Sequence, residues 1–150
     1  MKFKANIHLT YEDVSSMCKD LEYHVSKLKP SLIVGITRGG LLPALHLSHS
    51  LNIPMETIYW STRDAQRQEY NTVVGQDLVK GHTVVFVDDI NDSGVTFAQV
   101  SSAYSRRDAD RSEQVKCVSL VEKVSSSFTT HASALRIDDP RWIVFPWETH

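Results

Sequence analysis

Val14, Met17, Cys18, Leu21, Val25 and Leu28 recur at helical spacing before Pro30. Thr10 followed by Asp13 resembles an Asp-bearing form of the capping box, so a helix is expected to begin just after Thr10. The continuous apolar run "SLIVGI" then reads as a short buried strand, which "TRGG" breaks. "LLPALHLSHSLN" follows with Pro43 in the first turn of a predicted helix. "METIYW" predicts another strand. From Ser61 to Val74 the apolar period is lost while Arg63, Asp64, Arg67, Gln68 and Glu69 accumulate, which predicts a mobile flap. "HTVVFVDD" is the clearest strand pattern, "INDSG" reads as its loop, and "VTFAQVSSAYSRRD" as a helix with Phe97, Val100, Ala103 and Tyr104 inward. "VKCVSLV" is a further strand. The tail "ALRIDDPRWIVFPWETH" predicts a short strand, a turn at Asp139-Pro140 and an aromatic-rich strand ending at Pro146.

Near-continuous apolar strands alternating with helices predict an α/β fold, a mostly parallel central sheet covered on both faces. In such sheets ligands bind beyond the carboxyl ends of the strands. Both glycine loops, "TRGG" and "DDINDSG", leave strands at that end, so they are expected to line one crevice.

Composition adds limits. At 150 residues and 17.0 kDa a single domain, 1–150, is expected. A net charge of -2 and a pI near 6.4 offer no basic footprint for a nucleic-acid backbone, so any phosphate site must be local. Cys18 and Cys117 have no metal-like spacing and read as buried thiols, which fits a reducing compartment. The start "MKFKANIHLTYEDV" lacks the apolar core of a signal peptide and no stretch approaches a membrane span, so the expectation is a cytoplasmic protein without a membrane partner. The seven histidines form no metal-ligand pattern, and His46 and His49 read as surface or interface residues.

The chemistry gathers in "VVFVDDINDSGVT", Val84 to Thr96. "DSGVT" joins a strand to a helix through a glycine, so successive amides can form an anion nest backed by the helix N-terminus. Ser93 and Thr96 add hydroxyl donors, which suits a monoester phosphate. Taken alone, "DSG" before a helix is more often a capping turn with no ligand. Asp88 and Asp89 form a strand-terminal carboxylate pair that can accept from vicinal hydroxyls or meet hydrated Mg²⁺. The competing readings are two solvated loop acids, or a receiver-type phosphoacceptor strand, whose acid pair usually lies near the chain start; here 87 residues precede it.

The whole run resembles the 5-phosphoribosyl-1-pyrophosphate (PRPP) motif of type I phosphoribosyltransferases. Four apolar residues, two acids, Ile90, Asp92, Ser93, Gly94 and Thr96 fall in register, while Asn91 stands at a position often apolar. The resemblance implies that Asp88 and Asp89 hold the ribose hydroxyls, directly or through metal-bound water, and that Asp92, Ser93, Gly94, Val95 and Thr96 cradle the 5-phosphate. "TRGG" resembles the family's pyrophosphate loop, with Gly39 allowing close backbone approach and Arg38 as the cation. The flap sits where the family carries a flexible hood. Lys123 follows a strand, as does the lysine that donates to the exocyclic oxygen of the base in the 6-oxopurine members. Trp142 resembles the aromatic residue that stacks on the purine, and Ile143 the next residue, whose backbone meets the base edge. "WIVFPWE" is similar to the C-terminal segment of the small bacterial xanthine-guanine phosphoribosyltransferases, making about 122–150 the base-binding segment. Glu148 is either an acceptor for a 2-amino group or a surface acid.

What this resemblance implies is a Mg²⁺-dependent phosphoribosyltransferase of purine salvage. It would use PRPP and a 6-oxopurine (guanine, xanthine or hypoxanthine), with Asp92 as general acid/base near the purine N7, its pKa open to being raised by desolvation and neighbouring acids. Family members commonly pair or form tetramers, so a homo-oligomer is expected. Two alternatives stay open: transfer to adenine or a pyrimidine, which Lys123 disfavours for adenine, and a non-catalytic PRPP-sensing regulator that binds RNA.

Overall fold

A computed structural model describes residues 5–62, 67–105 and 112–148. The chain runs β1 (Ile7–His8), α1 (Tyr11–Leu28), β2 (Leu32–Thr37), α2 (Leu41–Leu51), β3 (Met55–Tyr59), α3 (Thr72–Val79), β4 (Val84–Asn91), α4 (Val95–Ser105), β5 (Val115–Lys123), β6 (Ala132–Ile137) and β7 (Ile143–Val144). The main sheet has the order β3-β2-β4-β5-β6, and every neighbouring pair in it is parallel.

Side chains alternating along the strands feed a core on each face. Val85 and Val87 of β4 join Ile33 under Val14, Leu21 and Val25 of α1 and Ala44 and Leu47 of α2. Val84 and Phe86 face the other way, with Val34 and Ile36, toward Val74 and Leu78 of α3 and Phe97, Val100 and Tyr104 of α4. Covering both faces is what makes the strands continuous apolar runs. The first helix begins as expected: the Thr10 hydroxyl accepts from Asp13 N at 3.0 Å and the Asp13 carboxylate accepts from Thr10 N at 2.8 Å. Cys18 and Cys117 are buried free thiols, both raised above the ordinary value by burial, Cys18 to about 11.

The structure corrects three expectations. The flap is shorter than 61–74, because Thr72–Val79 is helical. Asn71 caps that helix, accepting from Val73 N and Val74 N, and its side-chain amide donates to Glu56. Three β-branched valines and a glycine mask the helix in the sequence, and burial of Val74 and Leu78 overrides them. The stems of the flap are anchored: Trp60 bridges Gln68 in antiparallel fashion, and both side chains donate to Gln99 of α4. Arg63 and Asp64 lie outside the described residues, as do Arg106–Asp108 of the predicted fourth helix. The loop after β4 is also shorter, since Ile90 and Asn91 stay in the ladder opposite Val121 and Glu122. Finally, the terminal aromatic strand stops short of Pro146. Only Ile143–Val144 is a strand, and it pairs in parallel with Ile7–His8.

Candidate active site

The chain leaves β2 to place β3 on one side of it and later returns to place β4 on the other. That reversal makes the crevice beyond the carboxyl ends of β2 and β4 the topological switch point, where open parallel sheets bind ligands. A cleft lies there in two adjoining parts of about 850 and 340 Å³, which share Thr62, Asp88, Asp89, Thr96 and Glu148. Arg38 and Gly39 border the larger part; Asp92, Ser93, Gly94, Lys123, Trp142 and Ile143 border the smaller. Val95 does not line the cleft: it opens α4 with its side chain exposed, and its amide donates to the Ser93 hydroxyl at 3.4 Å.

The two loops are pressed together by glycine. A Cβ on Gly39 would lie 2.2 Å from the Asp89 carboxylate, and one on Gly40 2.0 Å from Val87 O. Among the described residues no carboxylate pairs with Arg38, which is exposed at the edge of the larger part.

Asp88 and Asp89 stand half-buried at the cleft floor, Asp89 N donating to Asp88 Oδ1 at 2.8 Å. Burial drives the Asp88 carboxyl well above its ordinary value, and the Asp89 charge adds to it; burial likewise raises Asp89, with Glu148 contributing. Such a pair, with no cation paired to it among the described residues, fits a divalent ion or the vicinal hydroxyls of a sugar. No third ligating side chain completes a closed metal cage among the described residues, so an ion here would need water or ligand oxygens. Glu148 is fixed by its own turn, its carboxylate accepting from Phe145 N at 2.8 Å. Asp92 is exposed, so the burial expected to act on it is not present.

Lys123 is not a solvated strand end. It is 7% exposed, and its ammonium donates to Asp139 O and to Arg141 O, the latter at 2.7 Å. Two of its three protons are thus spoken for, leaving one for the cleft. The same turn is braced by Arg141, whose guanidinium grips Asp139 and holds that carboxyl below the usual carboxylate range. Trp142, 51% exposed, borders the same part of the cleft. Its carbonyl accepts from Ile7 N and that of Val144 from Leu9 N, both at 2.9 Å, so β1 holds the segment in place. Thr62, Pro140, Arg141 and Trp147 also border the cleft without having been singled out. Nothing in their spacing marks them; the fold brings them there.

An acidic pair and the Asp92–Gly94 turn bordering one cleft at the switch point of a doubly wound sheet define the class of this α/β protein. The chain belongs to the phosphoribosyl transferase domain family, whose model matches residues 6–150. Similar proteins include a xanthine-guanine phosphoribosyltransferase of Cereibacter sphaeroides, 26% identical over 151 aligned positions, gaps included, covering 94% of this chain and 86% of that protein. One of the same name from Vibrio atlanticus is 27% identical over 94% of this chain and 88% of its own length. Among solved structures, a purine phosphoribosyltransferase from Pyrococcus horikoshii superposes with a TM-score of 0.77 at 28% identity, covering 96% of this chain and 94% of that one. Among the described residues, no helix is long and apolar enough to cross a membrane.

Proposed function

We propose that this chain transfers the 5-phosphoribosyl group of PRPP to N9 of a 6-oxopurine, forming a nucleoside monophosphate and releasing pyrophosphate. The observation that carries this reading is the buried Lys123 ammonium, with one proton left to donate, bordering the same part of the cleft as the exposed Trp142 and the acidic pair. An exocyclic carbonyl of the base accepts that proton; an exocyclic amine has none of the required lone-pair geometry. The names of the similar proteins point the same way.

In this reading the purine stacks on Trp142, the 5-phosphate sits on the Ser93–Thr96 amides and hydroxyls at the start of α4, and Asp88 and Asp89 meet the ribose hydroxyls. Asp88 and Asp89 would also hold Mg²⁺, which when bound supplies positive charge near the leaving pyrophosphate. Arg38 pairs with that pyrophosphate from the exposed rim. As N9 forms its bond to the ribose C1, the C1–O bond breaks, its electron pair leaves with pyrophosphate, and the base loses a proton. Positive charge builds on the sugar at that moment, and the carboxylates at the floor favour it. Asp92 takes the role of general acid/base toward the purine N7.

Incubation with PRPP, Mg²⁺ and separate pools of guanine, hypoxanthine, xanthine, adenine and orotate, followed for nucleotide formation, tests the reading. Turnover of 6-oxopurines is expected; transfer to adenine or orotate alone would replace the proposed substrate, and no transfer at all would sink the enzyme. Asp92→Asn should cut kcat by about 10²–10⁴-fold while nucleotide binding changes little. An unaffected kcat removes Asp92 from the mechanism. Gly39→Ala should displace the Asp89 carboxylate and lower kcat/KM for PRPP by about 10²-fold, as ångström-scale misplacement does, with thermal stability near that of the parent. A parental kcat/KM would show that Asp89 can move without consequence.

A further inference from the structure

Asn91 places an amide at the end of a strand whose earlier residues, Val84–Val87, are apolar, and it is only 2% exposed. Its Nδ2 donates to Glu122 Oε1 at 3.0 Å and to Phe128 O at 2.6 Å, and its Oδ1 meets the Ser126 hydroxyl at 3.0 Å. Glu122, 5% exposed, also accepts from Thr130 N at 2.7 Å. These bonds tie the β5–β6 connection to the end of β4.

The connection in turn holds the Asp92–Gly94 loop. Ser127 N and the Ser127 hydroxyl both donate to Ser93 O, at 3.0 and 2.9 Å. Gly94, at φ +95, lies so close that a Cβ would be 2.6 Å from Phe128 N. None of Asn91, Glu122, Ser126 and Ser127 borders the cleft, whereas Ser93 and Gly94 do. In a trans peptide the N–H points opposite to the C=O. Anchoring the Ser93 carbonyl against the connection therefore aims the Gly94 N–H away from that connection.

We propose that Asn91 is a positioning residue: with Glu122 and the Ser126–Phe128 segment it holds the Ser93–Gly94 peptide in its anion-accepting orientation, setting the loop for a phosphate monoester before any ligand arrives. This rests on reading that loop as the phosphate site, but not on the transfer reaction. Calorimetric titration of parent, Asn91→Leu and Ser127→Ala with ribose 5-phosphate, and with Mg²⁺-pyrophosphate as a control for the Arg38 side, tests it. Asn91→Leu should weaken ribose 5-phosphate by about tenfold or more and leave pyrophosphate within about twofold. Ser127→Ala, an exposed change that removes one bond to Ser93 O, should give a smaller loss in the same direction at near-parental melting temperature. Parental ribose 5-phosphate affinity in a folded Asn91→Leu protein, or equal weakening of both ligands, overturns the proposal. If Asn91→Leu does not fold, Ser127→Ala decides, and an unchanged affinity there overturns it. A parent that binds ribose 5-phosphate yet turns over no base sinks the proposed transfer and leaves this inference standing; a parent that does not bind ribose 5-phosphate overturns the inference.

Discussion

Asp88→Asn is expected to make the ligand-free protein more stable at neutral pH while cutting phosphoribosyl transfer by about 10²-fold or more, the scale of losing one preorganised electrostatic partner. The substitution keeps the oxygen that accepts from Asp89 N and removes the charge. The sign follows from the direction of the shift. Burial, then the Asp89 charge, raises the Asp88 carboxyl well above the ordinary 3.8, so the folded protein holds that proton more tightly than the unfolded chain. Its stabilising contribution is complete below 3.8 and is lost as pH rises through the folded value. The parent should therefore lose stability relative to Asp88→Asn from mildly acidic toward neutral pH. For a chain of this size each kcal/mol regained moves the melting temperature by about 2–4 °C. Thermal scans of both proteins between pH 4 and 8 check this. Superimposable melting temperatures at pH 7 would mean that the acidic pair is not under strain.

Lys123→Met should be the most damaging change on the base side. Methionine matches the apolar stem of lysine but leaves Asp139 O and Arg141 O without their shared donor, at a cost of about 1–3 kcal/mol for each that stays dry. If Lys123 also donates to the exocyclic oxygen of the base, the loss of a charge-assisted bond worth about 1.5–3 kcal/mol lowers kcat/KM for hypoxanthine by about 10–150-fold. Adenine, which offers no such acceptor, should suffer only from disturbance of the turn. The informative measurement is the ratio of kcat/KM for hypoxanthine to that for adenine. A fall in the ratio assigns Lys123 to base recognition; an equal fall in both would leave it as a prop for residues 139–141.

The parts of this fold that bury a periodic stripe or a continuous apolar run were legible from the sequence: α1 and β2 are where their patterns put them, α4 starts where expected, and β4 holds its apolar run but continues two residues past it. The acidic pair and both glycine loops were legible because a strand-to-helix turn limits which residues can serve there. The helix α3 was hidden, since its valines and glycine favour other conformations and only docking of Val74 and Leu78 decides the matter. Burial of Glu122 and Lys123 was hidden for another reason. An acid followed by a lysine at a strand end reads as solvated, and the groups that satisfy them, Thr130 N and the carbonyls of Asp139 and Arg141, stand 8 to 18 positions away along the chain. Strands of two residues, like β1 and β7, carry no period at all.

The pairing of Ile7 with Ile143 has a consequence for the order of synthesis. Chains emerge from the ribosome amino end first. The loops after β2 and β4, and the connection that backs the second of them, are all complete by His131. The wall carrying Trp142 and Ile143 must still return across the full sequence to meet β1, a closure between distant segments that is slow by its topology. A nascent chain thus acquires Arg38 and the Ser93–Gly94 peptide of its cleft well before it acquires Trp142.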